Sequence, residues 1–173
     1  MGKWAQAGRS EFAGSKDERG AALIEAALVF ILLVALLLGT VTAGIAYGRF
    51  NALQAAAREA SRFGATLPVT GSINAWLDEV RGVAKAAAVG ELGATVPGQY
   101  VCVALLGPPG TPQRVEEIGG GAPVYGSSEC FADGRPAGES RTQVMVRRET
   151  ELLVAYFSTG ITLTGQAATR YER

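Results

Sequence analysis

Residues 26–48 carry no charged side chain and are dominated by Leu, Val, Ile and Ala. Runs of 18 or more apolar residues mark helices that cross membranes. At about 1.5 Å per residue, these 23 residues make a helix roughly 35 Å long, enough to cross a hydrocarbon core of about 30 Å. A helix buried in a core is the alternative. The rest of a 173-residue chain could hardly cover one that is apolar all round. A cleaved secretory signal ending at Gly44, Ile45 and Ala46 does not fit either, because the apolar part of such signals spans only about 7–15 residues.

The flanks of this run differ in kind. Residues 1–20 are polar, with Lys3, Arg9, Lys16 and Arg19 partly offset by Glu11, Asp17 and Glu18, and show no apolar period. They read as a leader. The helix is expected to start near Ala21, to span the membrane over 21–48 and to continue outside it over 49–66, because Ala, Leu, Gln and Arg dominate there. Gly64 and Pro68 are the expected stop.

Residues 67–173 then form a small domain. Ile73, Trp76, Leu77, Val80, Val83, Ala84 and Ala87 recur at helical spacing, with Ser72 placed as an N-cap, and predict a helix over 72–88. Residues 99–106 are rich in Val and end at Gly107-Pro108, which predicts a strand. The Gly- and Pro-rich stretch 107–140 is expected to be irregular. Thr142, Val144 and Val146 alternate with Gln143, Met145 and Arg147, as in a half-buried strand over 141–148. Residues 149–157 are ambiguous between strand and short helix, and 161–171 predict a last strand. The expected fold is α+β: a long N-terminal helix, one further helix and a small antiparallel sheet.

Formal net charge is zero, so no global field would hold nucleic acid. The chain has no histidine, which removes His-dependent triads and HExxH zinc sites. Two cysteines fall short of the four ligands of a structural zinc site. Asp78-Glu79 and Glu116-Glu117 are adjacent carboxylates, but neighbours in sequence point apart, so they make poor catalytic pairs. We expect no catalytic, cofactor or metal site. Met145 and Trp76 read as core residues, and Arg58 and Arg62 as a solvated helix face.

The most informative residues lie at the start of the apolar run: Arg19-Gly20-Ala21-Ala22-Leu23-Ile24-Glu25. An acid in an apolar helix costs about 2.5–3.5 kcal/mol at the bilayer centre, and less near an end. A plain anchor has no use for it, although Glu25 could sit at the headgroup level. The pattern resembles a prepilin, whose leader is cut after glycine by a membrane aspartic peptidase. A cut between Gly20 and Ala21 would leave a new amino group five residues before Glu25. In a stack of such helices, Glu25 of one subunit could pair with that amine on its neighbour and set the axial register, since a buried charge is tolerable only when paired.

Residues 18–29, the stretch 39–50 ending Tyr47-Gly48-Arg49, and 53–62 resemble the N-terminal segment of the TadE-like family, and 163–172 resemble its C-terminal strand more loosely. The family often has a bulky aromatic after the glutamate, where this chain has Ala26-Ala27. The resemblance implies a minor pilin or pseudopilin of a tight-adherence (type IVc) pilus, held in the cytoplasmic membrane by one span. Its domain would lie outside the cytoplasm or enter the fibre. It further implies a prepilin peptidase, a Flp-type major pilin, TadF- and TadG-like proteins and an inner-membrane platform as partners. The alternative is a single-pass anchor that presents a small binding domain and never enters a filament. Gly44 and Gly48, with Gly39 nearby, would allow close helix packing within the bilayer. If the domain is exported, Cys102 and Cys130 lie in an oxidising compartment and are expected to form a disulfide, the alternative being two buried thiols.

Overall fold

The computed structural model describes residues 14–88, 90–93, 95–107, 113–134, 139–154 and 157–171. Its first element is the 53-residue helix α1 (Gly14–Thr66). Leu53, Ala56, Ala57 and Ala60 are fully buried, and Ser61 and Ala65 nearly so. These spacings of three and four put one stripe of small side chains on a single face, which lets a sheet approach closely. Arg58 and Arg62 stand on the exposed side.

The second helix, α2 (Ile73–Ala87), begins where Ser72 Oγ accepts the Ala75 amide at 3.2 Å, one of the donors a helix start leaves unpaired. It buries Trp76, Leu77, Val80 and Ala84. Each of the larger ones contributes about 1.5–3 kcal/mol by leaving water. The link between the helices is tied down at Leu67. Its carbonyl accepts from Trp76 Nε1 at 3.0 Å and from the Tyr171 hydroxyl at 3.1 Å.

Five antiparallel strands follow: β1 (Tyr100–Leu106), β2 (Gln113–Ile118), β3 (Val124–Gly126), β4 (Arg141–Val154) and β5 (Phe157–Arg170), in the spatial order β3-β2-β1-β4-β5. Val101, Val103, Val115, Val144 and Val146 meet the two helices in one core.

The structure corrects four expectations. The helix begins at Gly14 and not near Ala21, and residues 1–13 of the expected leader lie outside the described residues. Gly64 does not end α1, which runs on to Thr66. Gly64 is instead a close-packing point: a side-chain carbon there would come within 2.8 Å of Thr142 Cγ2 and 3.2 Å of the Trp76 ring. The stretch 107–140 is not wholly irregular, since β2 and β3 form within it. Polar side chains hide β2, because Arg114, Glu116 and Glu117 all find partners in the fold.

β4 is also not half-buried. Gln143 is fully buried and Met145 nearly so, because the segment after β3 folds over the second face of the sheet. There Gln143 accepts from the Cys130 amide at 3.1 Å and donates to the Phe131 carbonyl at 2.8 Å. Cys102 and Cys130 are joined by a disulfide that pins this segment to β1. The ambiguous residues 149–154 are strand, so β4 and β5 make a hairpin whose paired backbone runs out to Val154 and Phe157.

Candidate functional site

The domain leaves the lower part of α1 uncovered. Leu23, Ile24, Leu28, Val29, Phe30, Ile31, Leu32 and Leu33 are each more than half exposed. The helix is long and apolar enough over Gly20–Thr66 to cross a membrane, and none of its most apolar window is buried. Glu25 is exposed and shares a shallow surface with Ala22, Ala26, Val29, Phe30 and Leu33. An acid so placed is free to meet a group on another helix. Gly20 and Ala21 lie within α1 and are exposed.

The three glycines expected to pack together do not share one side. At about 100° per residue, Gly39 falls on the face that carries Thr42, Ala46 and Leu53, whereas Gly44 and Gly48 point roughly the opposite way. Among the described residues, no other part of the chain lies within 4 Å of where a Cβ at any of the three would stand.

The face with Thr42 and Ala46 is met by the β4–β5 hairpin. Thr42 Oγ1 donates to the Leu153 carbonyl at 2.9 Å, and Ala46 is buried. One turn higher, Arg49 donates to Thr150 Oγ1 and lies 3.9 Å from Glu91, which also pairs with Arg148. This cluster ties α1, the α2–β1 connection and β4 together just above the apolar run. Sequence reasoning missed it, because its members lie up to 101 residues apart.

The adjacent carboxylates are occupied structurally. Glu117 is 2% exposed and accepts from Arg81 at 2.6 Å and Lys85 at 2.5 Å, pinning α2 to β2. Glu116 points to the other face, where it accepts from the Tyr100 hydroxyl at 2.6 Å and pairs with Arg114 at 3.1 Å. Asp78 takes the Tyr125 hydroxyl at 2.6 Å and Arg81 at 3.1 Å, and Glu79 is exposed.

Burial pushes the Tyr100 phenol up to about 12, and its hydrogen bond to Glu116 adds to the effect. The Tyr125 phenol is also raised, chiefly by its hydrogen bond to Asp78. A raised folded-state value favours the protonated phenol in the native state. The associated stability is therefore complete below pH about 10, where the unfolded phenol titrates, and is lost as pH rises toward about 12. Urea midpoints should fall between pH about 9 and about 11.5, and the fall should be shallower in Tyr100→Phe. An unchanged slope in that variant would contradict the assignment.

Among the described residues there is a single long apolar helix, bare along its N-terminal half and carrying an α+β domain at its far end, and this is the build of a single-pass membrane protein. Residues 20–62 match the family model of TadE-like proteins, so this segment of the chain is similar to that family. The match ends within α1 and covers none of the sheet. No curated protein and no solved structure matches the chain.

Proposed function

We propose that this chain is a minor pilin or pseudopilin of a Tad-type (type IVc) pilus, a structural subunit and not an enzyme. The observation that carries this reading is that the match at residues 20–62 begins on a stretch of apolar helix, Leu23 to Ile45, that the domain leaves largely bare, with an exposed acid, Glu25, near its start. Residues 1–20 act as the leader. A prepilin peptidase cuts between Gly20 and Ala21, residues 21–48 hold the chain in the cytoplasmic membrane, and the domain 67–173 stands outside it on the extension 49–66. The bare helix then packs against a Flp-type major pilin or other TadE-, TadF- or TadG-like subunits at the inner-membrane platform. Glu25 receives the Ala21 amine of a neighbour. The pairing offsets the cost of an acid in an apolar setting and fixes the axial register. Gly44 and Gly48, on the side away from the hairpin, give that neighbour room for close approach.

The test is the N-terminus of the protein from a host with its prepilin peptidase. Intact-mass measurement should show a chain beginning at Ala21, lighter by about 2 kDa, and Gly20→Val should leave the precursor uncut. Glu25→Gln should keep insertion and cleavage but lose co-purification with pilin subunits. An uncut N-terminus in that host would refute the pilin reading. Undiminished co-purification of Glu25→Gln would favour an anchor that never joins a filament.

A further inference from the structure

Two stretches of this chain change from charged to apolar at the same height, although they are far apart in sequence. On α1 the change comes at Arg49, the first charge after the run 26–48. On β4 it comes after Glu151, where Leu152-Leu153-Val154 follows. The two are locked in register by Arg49 with Thr150 and by Thr42 with Leu153. The seven residues from Arg49 back to Thr42 cover about 10 Å of helix, and the three from Thr150 to Leu153 cover about 10 Å of strand. The paired strands therefore run alongside the helix axis, and their outermost described residues, Leu153 and Phe157 to Thr159, form a tip on the side toward which the apolar run goes.

Thr42 lies six residues inside the outer end of that run, roughly 9 Å along the axis. Beside it the tip leaves Leu153 45% exposed and Phe157, paired with Val154, 79% exposed. Apolar side chains this open on a domain exterior are costly in water, and Phe and Leu bury readily at the headgroup–acyl boundary of a bilayer. Ser158 and Thr159, which pair with Leu153 and Leu152, keep the tip polar enough for the headgroup region.

We propose that the β4–β5 tip is a second membrane contact, which seats Leu153 and Phe157 in the outer interface of the bilayer that α1 crosses. The partner is lipid, because the tip is continuous with the membrane-spanning face of α1 and lies at a depth the span itself sets. The device holds the domain at a fixed tilt and height instead of letting it swing on a lone helix. It rests on the reading of α1 as a membrane span.

The test places a photo-crosslinking phenylalanine analogue at single positions of the full chain in phosphatidylcholine vesicles, with adducts read by mass spectrometry. Substitution at Phe157 and at Leu37, within the span, should each give lipid adducts. Substitution at Val124, exposed on the far edge strand, should give none. Adducts at Leu37 without any at Phe157 would overturn the tip contact and leave the span standing. No adducts at Leu37 would overturn both. A crosslink from Phe157 to a second protein subunit in pilus-producing cells, with no lipid adduct there, would mean that the tip is covered by protein and would reject the proposal.

Discussion

Replacing both Cys102 and Cys130 with serine should lower the stability of the α+β domain by about 3–4 kcal/mol, as expected for a closed loop of this length in the chain-entropy model. The bridge spans a sequence separation of 28 and crosses from the centre of the sheet to a Gly-rich segment with little apolar content. That segment is the lid over the second face of β4. Gln143 is fully buried only because the Cys130 amide and the Phe131 carbonyl satisfy its amide group. Without the bridge the lid can lift, and Gln143, Met145 and position 102 meet water. A few kcal/mol is a large share of the stability of so small a domain. Urea denaturation of the full chain in detergent, compared with the oxidised and reduced wild type, measures the effect. Thiol counting on denatured, unreduced protein is the direct check, and two free thiols per chain would refute the bridge.

The second large effect is at Gly165. This residue of β5 faces α1 so closely that a Cβ would lie 2.4 Å from the Leu53 carbonyl oxygen and 2.8 Å from the Gln54 amide nitrogen. The obstacle is backbone, which cannot rotate away. α1 cannot retreat without uncovering Leu53, Ala56, Ala57 and Ala60, all fully buried. Gly165→Ala should therefore cost about 3 kcal/mol, at the upper end of ordinary overpacking, and Gly165→Val should prevent the helix from docking. Gly160→Ala on the same strand is the control. Among the described residues, no atom lies within 4 Å of a Cβ there, so its effect should stay within about 0.5 kcal/mol. Thermal unfolding followed by circular dichroism compares them, and equal stabilities for the two alanine variants would show that β5 does not approach α1 so closely.

The resemblance seen over 18–29, 39–50 and 53–62 falls almost wholly within the family match at 20–62, since the signal there is local, whereas the looser one over 163–172 lies outside that match. An unbroken apolar run, one acid five residues after a glycine and a helix-forming extension all lie along a single helix, and no tertiary partner is needed to see them. The same locality explains why α2 was legible. Its apolar residues repeat at the helical period and Ser72 caps it, and the structure starts it at Ile73. β1 was equally plain from its Val-rich run.

Other features depended on partners distant in sequence. β2 is a strand in which charged side chains are satisfied by α2 and by neighbouring strands, so its own composition resembles a loop. Gly64 and Gly165 carry the signals of a helix stop and a weak strand. Their importance lies in what packs against them, Thr142 and Trp76 at the first and the backbone of Leu53 at the second. The alternation in β4 suggested one wet face, and only the bridged lid dried it. The sequence by itself determined that the chain has an apolar run with an acid near its start and an α+β domain after it, because both follow from hydropathy and period along the chain. Tertiary structure alone decided how that domain sits on the span. The hydrogen bonds of Arg49 to Thr150 and of Thr42 to Leu153, and the close approach of Gly165 to Leu53, join residues more than a hundred positions apart, and no local pattern specifies such pairings.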